Sequence, residues 1–145
     1  MPPQPPRRRL AAKAALLLAM GLAAGCSALP DTVGQAAPSD TLWTLKDLNG
    51  APAGFSASLR FGSGGSVSGT APCNSFSARQ TAPLPWFEIA DLTATQRGCP
   101  LARDEAAFFQ ALRAMDFAEV ADNSLLLSND QGQTLFFQAA EGPAT

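Results

Sequence analysis

The chain has 145 residues, with 10 basic and 12 acidic side chains, no histidine and a formal net charge of −2. The lack of histidine excludes a Cys–His nucleophilic pair, and the slight excess of acid excludes a strongly basic nucleic-acid-binding domain. The length is enough for one domain with a small hydrophobic core and for additional segments at the termini.

The amino terminus has the pattern of a secretory signal. Four basic residues, at 7–9 and 13, precede an uncharged apolar run at 14–24. This run is shorter than the roughly 20 residues that a membrane-spanning helix needs. We therefore predict a signal peptide at residues 1–25.

The end of the apolar run, Ala23-Ala24-Gly25-Cys26, resembles a bacterial lipobox. In that motif the cysteine becomes the first mature residue and carries lipid, so Cys26 is the predicted lipid attachment. Ser27 follows, and by resemblance to lipoprotein sorting a residue other than aspartate favours the outer membrane, facing the periplasm. The alternative is ordinary cleavage near Cys26. Loss of residues 1–25 removes four basic and no acidic side chains, which leaves a net charge of −6.

The segment after the signal peptide has the composition of a linker. Residues 26–39 are rich in Pro, Ala, Ser and Gly and lack hydrophobic periodicity, which predicts a flexible tether between lipid and domain. We place the domain at 40–138 and a C-terminal tail at 139–145.

The domain begins and ends with short strand candidates that are separated by turn signals. Asn49-Gly50 and the glycine-rich residues 62–65 are typical of tight turns. The strand candidates are residues 42–45, 58–61, 66–69, 86–89, 125–127 and 135–137. The last two flank a polar turn and predict a closing hairpin.

One segment is helical by its periodicity. Residues 100–115 place apolar side chains mostly three and four positions apart. Asp104 and Glu105 lie early and Arg113 lies late, which complements the helix dipole. This order along the chain, with strands before and after one helix, predicts an α+β fold in which the helix packs on a mostly antiparallel sheet.

Two cysteines remain once Cys26 is assigned to lipid. Cys73 and Cys99 lie 26 positions apart, unlike a Cys-x-x-Cys redox pair, and a zinc site would lack histidine ligands. Export places both thiols in an oxidising compartment, which favours a structural disulfide. The alternative is two buried free thiols. We expect neither a metal nor a cofactor.

Several short motifs, in order along the chain, resemble the META domain of the HslJ-like family of bacterial envelope proteins. The residues that carry the resemblance include Trp43, Asn49, Gly50, Gly69, Asn74, Phe76 and Thr95, together with Cys73 and Cys99. The resemblance implies a strongly curved antiparallel sheet, or partial barrel, with one helix packed on it. It also implies links to heat shock and novobiocin resistance and no enzymatic activity.

Asn74 follows a Gly- and Pro-rich segment, so we expect its amide to bond its own backbone or to support a left-handed conformation. Recognition of a partner is the alternative role. A candidate binding cleft lies between the sheet and the predicted helix at 100–115, and its candidate wall residues are Trp43, Trp86, Phe87 and Phe109. The alternative, which we prefer for most of these aromatic residues, is packing in the core.

Three functions compete at this point. The first is a non-enzymatic envelope lipoprotein that is held to the membrane by its lipid anchor. It would bind an envelope protein, a lipid or a small apolar compound, and not nucleic acid. The second is an inhibitor of a foreign hydrolase such as lysozyme, because a net charge of −6 favours a basic target. The third is a hydrolase driven by two of the carboxylates Glu88, Asp91, Asp104 and Glu105.

Overall fold

The computed structural model describes residues 1–4, 25 and 31–140. The predicted lipid attachment at Cys26, most of the predicted signal peptide and residues 141–145 lie outside the described residues. Among the residues described, no helix combines the length and the apolar character needed to cross a membrane.

An antiparallel sheet forms the body of the domain. Its strands within the described residues are β1 (Trp43–Leu48), β2 (Ala51–Pro52), β3 (Ser58–Phe61), β4 (Ser66–Thr70), β5 (Ser75–Arg79), β6 (Ala90–Ala94), β7 (Phe117–Ala121), β8 (Ser124–Ser128) and β9 (Thr134–Ala139). They lie in the order β6-β5-β4-β3-β1-β9-β8-β7, and β2 pairs with β1. The sheet curls into a half-barrel with helix α2 (Ala102–Arg113) packed on it, which confirms the predicted fold.

Alternation of apolar residues sets the register of the closing hairpin. Leu125 and Leu127 of β8 lie opposite Phe137 and Leu135 of β9, and all four are fully buried. A shift of one residue would turn these four side chains outward, so burial of one face fixes the pairing. The predicted hairpin is confirmed.

The Asn49-Gly50 turn is also confirmed. Both residues have positive φ, 52° and 77°, as a two-residue hairpin turn with right-handed strand twist requires. Asn49 donates its N–H to the Thr134 carbonyl at 2.8 Å and accepts the Thr134 N–H on Oδ1 at 3.0 Å. The turn is therefore tied to β9 as well as to its own strands.

The segment before β6 differs from the prediction. Residues 86–89 form no strand, and a single bridge joins Trp86 to Phe117 of β7. Pro83 and Pro85 lack the N–H groups that a regular ladder uses, which limits pairing here. Phe87 is buried in the core instead, and the regular strand begins later, at Ala90.

Part of the predicted tether packs on the domain. Residues 33–36 form a short helix, α1 (Val33–Ala36), and Val33 is fully buried in the main core. Gln35 Oε1 accepts the N–H groups of Asp31 and Thr32, both at 3.0 Å, and the Asp31 carbonyl accepts the Leu84 N–H at 2.6 Å. The boundary predicted between residues 39 and 40 therefore lies inside the packed part of the chain.

Candidate functional site

A disulfide joins the loop before β5 to the loop before α2. Cys73 and Cys99 are bonded, with their Cα atoms 5.6 Å apart, inside the usual range of about 4.4–6.8 Å. This confirms the predicted cross-link, and the alternative of two free thiols is wrong. The bond brings the Cys73-Asn74 motif to the start of the helix.

Asn74 is at the centre of a buried hydrogen-bond network. Its Oδ1 accepts from Thr95 Oγ1 at 2.8 Å and from the Arg97 N–H at 2.6 Å. Its Nδ2 donates to the Arg97 carbonyl at 3.1 Å and to Glu105 Oε1 at 2.6 Å. These four bonds use the full capacity of an amide side chain with two donors and two acceptor sites.

The role of Asn74 is structural, but the bonds differ from those expected. Its backbone φ is not positive, and its side chain bonds Thr95, Arg97 and Glu105 rather than its own backbone. The amide therefore joins segments that are distant in sequence instead of shaping its own turn.

Glu105 completes the network from the first turn of α2. Its Oε2 accepts the backbone N–H groups of Cys73 at 2.7 Å and Asn74 at 2.8 Å, while Oε1 accepts Asn74 Nδ2. The residue is only 8% exposed. A buried carboxylate is costly unless it is hydrogen-bonded, and three donors meet that need here.

Glu105 was predicted to complement the helix dipole and was one of the four candidate catalytic acids, but a buried structural role was not predicted. Its spacing carried a further signal, because Glu105, Phe108 and Leu112 stand at i, i+3 and i+7 on one helix face. All three are buried. An acidic residue inside an apolar stripe indicates a buried partner, which here is the Cys73-Asn74 backbone.

Two other motif residues meet in the sheet. A Cβ at Gly69 would overlap the carbonyl oxygen of Ser58 and lie 2.6 Å from Phe76 Cζ. Phe76 in turn packs edge-to-face on Phe109 and Phe108 of α2, with centroids 5.3 and 6.1 Å away. Glycine at position 69 thus lets the aromatic ring lie close over β4 while reaching the helix.

The remaining motif residues lie elsewhere. Trp43 is buried in the core at 1% exposure, and Asn49 and Gly50 form the hairpin turn on β1. The structure thus brings Asn74 and Thr95 together with the two cysteines, whereas the other motif residues serve separate packing and turn positions.

A groove lies between edge strand β6 and helix α2. It has a volume of about 720 Å³, and Leu92 and Phe109 line it together with Arg97 and Arg113. Of the four predicted wall residues, Phe109 alone contributes to this groove. Trp43 is a core residue, Trp86 lines a different groove, and Phe87 is a core residue that also lines that second groove.

The candidate catalytic acids are not equivalent. Glu88, Asp91 and Asp104 are exposed, on the segment before β6, on β6 and on α2 respectively. Glu105 is buried, and both of its oxygens accept hydrogen bonds. Within residues 31–140, no three acidic or thiol side chains come together in a group that could hold a metal ion.

Comparisons with known proteins identify the domain. The META domain profile matches residues 36–142. The fold is similar to a DUF4847-family protein from Bacteroides vulgatus, with TM-score 0.56, 15% identity and coverage of 69% of this chain and 92% of that one. A protein from Burkholderia xenovorans, solved by NMR, gives TM-score 0.58 and 19% identity, with coverage of 98% and 100%. None of the curated proteins matches. The chain belongs to the META domain family.

Proposed function

We propose that the protein is a non-enzymatic binding module of the bacterial cell envelope, tethered to the outer membrane by lipid on Cys26. The observation that carries the non-enzymatic part of this proposal is that its two buried motif-site polar residues are fully hydrogen-bonded within the domain. The side chains of Asn74 and Glu105 form hydrogen bonds with each other, with the Thr95 hydroxyl and with backbone groups. Their geometry supports a scaffold rather than a reacting centre.

The surface supports the same proposal. A binding module needs concave, partly apolar surfaces on a rigid body. The groove beside α2 and the groove around Trp86 are of that kind, and both lie on elements that the core and the disulfide hold in place. The bound class would be an envelope protein, a lipid or a small apolar compound.

Mass spectrometry of the mature protein tests the anchor. We expect the mature chain to begin at Cys26 with the mass of attached acyl chains, and the Cys26→Ser variant to lack that mass and leave the membrane fraction. An unacylated wild-type protein would refute the anchor. The binding role would then be tested on its own, by crosslinking in intact cells.

The family resemblance extends the proposal to stress. A deletion strain is expected to lose viability under heat shock or novobiocin. Complementation by wild type should restore growth, and complementation by Cys26→Ser should restore less if location matters. A deletion strain that grows like its parent under both stresses would contradict this role.

A second candidate is inhibition of a foreign hydrolase. The net charge of −6 that remains after removal of residues 1–25 favours a basic target. A lysozyme turbidity assay with and without the purified protein tests it directly. Undiminished lysozyme activity at an excess of the protein would exclude that target.

A further inference from the structure

Trp86 forms an aromatic shelf with Phe117 on the surface of the half-barrel. The two rings lie 5.2 Å apart between centroids at an interplanar angle of 35°, and Trp86 is 55% exposed. Within the described residues, the other large apolar side chains left exposed are Met1 and Leu101. A single exposed apolar residue is ordinary, but this one lines a groove.

The backbone holds this shelf in place. Trp86 pairs with Phe117 in an antiparallel bridge, flanked by hydrogen bonds of 2.8 Å from Phe87 N–H to the Asp116 carbonyl and from Ala118 N–H to the Pro85 carbonyl. The segment before β6 thus covers the start of edge strand β7. Because the indole is carried on paired backbone, a ligand that stacks on it orders little new structure.

The groove beside the shelf is apolar at its base and acidic at its rim. Its volume is about 480 Å³. Its lining includes the buried side chains of Phe87 and Met115. The charged groups that line it are Glu88, Asp116, Asp130 and Arg113, all exposed. Three carboxylates face one guanidinium, so the rim favours a cation.

We propose that the Trp86 shelf is a docking surface for a basic side chain, arginine or lysine, of a partner protein. The cation would stack on the indole and be balanced by the carboxylates of Glu88, Asp116 and Asp130. A neutral sugar would also stack on tryptophan, but it would gain nothing from the acidic rim. Charge complementarity therefore selects the basic side chain.

This inference names the partner chemistry of the binding role proposed above, and it rests on that role but not on the lipid anchor. Interface hot spots are enriched in tryptophan and arginine, so an arginine that stacks on Trp86 would have the usual composition of a hot spot. The excess of acid over the whole mature chain would also speed the approach of a basic partner.

The test uses the full chain in non-ionic detergent and a dye-labelled arginine-rich peptide. Its matched probe carries citrulline at each arginine, which keeps the shape and removes the charge. Binding is measured by fluorescence anisotropy. We expect the arginine peptide to bind, the citrulline peptide to bind at least about 5-fold more weakly, and added salt to weaken the arginine peptide alone.

Variants locate the site. Trp86→Ala is expected to weaken the arginine peptide about 5- to 30-fold, and Trp86→Phe by less, because it keeps an aromatic face. The triple variant Glu88→Gln, Asp116→Asn, Asp130→Asn should weaken binding and reduce its salt dependence. Leu101→Ala, which removes another exposed apolar side chain, and Asp104→Asn are the matched controls and should bind as wild type.

Thermal unfolding of each variant shows that it is folded before binding is compared. The proposal would be refuted if both peptides bind equally well, or if the folded Trp86→Ala and triple variants bind the arginine peptide as the wild type does. If the wild type and Trp86→Ala capture the same envelope partner equally well, the proposed binding role is supported and the Trp86 shelf is refuted as its docking surface. A shelf that binds arginine in the acylated and Cys26→Ser proteins alike would stand independently of the anchor.

Discussion

Replacement of Glu105 by alanine is expected to be among the most damaging single changes in the domain. The carboxylate accepts three hydrogen bonds, from the Cys73 and Asn74 backbones and from Asn74 Nδ2, at 2.6–2.8 Å. Alanine would leave these donors facing an apolar methyl group. Unsatisfied buried donors carry their full desolvation penalty, so the loss exceeds that of the bonds alone.

The size of the effect follows from the burial of each donor. Net contributions of hydrogen bonds to charged groups are about 1.5–3 kcal/mol each, and those in one network do not add fully. Cys73 is only half-buried, so water can replace the carboxylate there, whereas Asn74 is 8% exposed. We expect a loss of about 3–5 kcal/mol, a large share of the roughly 5–15 kcal/mol that stabilises a typical domain.

The Glu105→Gln variant removes the negative charge of this side chain but keeps its size and shape. The amide oxygen would accept the two backbone N–H groups, but the new NH₂ would face Asn74 Nδ2, donor against donor. Asn74 cannot turn over to help, because its Oδ1 and Nδ2 already bond Arg97 and Thr95. The glutamine variant should therefore lose about half as much stability as the alanine variant.

Urea unfolding followed by circular dichroism measures these differences. Asp104→Ala is the control, since Asp104 lies beside Glu105 in the same helical turn but is exposed. Its removal tests the dipole interaction, worth about 0.3–1 kcal/mol. If Glu105→Ala loses no more stability than Asp104→Ala, the buried network does not stabilise the fold and the reasoning fails.

Three further changes test other parts of the structure by the same assay. The Cys73–Cys99 bond closes a loop of about 27 residues, so its reduction should lower stability by about 3.5 kcal/mol in the chain-entropy model. An unfolding midpoint that stays the same after addition of reductant would contradict this prediction. Gly69→Ala should lower stability by about 2–3 kcal/mol, because the new Cβ would overlap the Ser58 carbonyl oxygen and Phe76. Gly98→Ala, where the new Cβ meets open space, is the control and should change stability by less than about 1 kcal/mol, so equal effects would refute the steric argument. Val33→Ala should cost about 1.5–2.5 kcal/mol, and no loss would mean that α1 does not contribute to the core.

Most strands that bury large side chains were predictable from the sequence, although β5, which buries Phe76, was not among the strand candidates. Alternation in β3 and the two apolar runs of β8 and β9 each predicted a strand, and all three were found. Strand β7 was missed because Ala118 is its one buried residue, and a small side chain gives a weak alternation. Edge strand β6 was missed for a related reason, since none of its side chains is fully buried.

The candidate site was predictable in part. The absence of histidine and the separation of the cysteines favoured the disulfide, and the motif drew attention to Asn74. The buried hydrogen-bonding role of Glu105 was missed because an acid in the first turn of a helix already has a sufficient local explanation. Its partners are more than 30 positions away, so only the folded chain reveals them.

The Cys73-Asn74 motif and the disulfide both hold the loop before β5 to the region of helix α2. Asn74 and Cys73 hold the loop before β5 to Glu105 by hydrogen bonds, while Cys73 and Cys99 hold the same loop to the residues before the helix covalently. Both attach the helix close to the edge of the half-barrel at β6, which pairs with β5 on one side and with no further strand on the other. A motif with this task specifies the fold. Under the binding role proposed above, the residues that select a partner are therefore to be sought away from this motif, on exposed surfaces such as the Trp86 shelf.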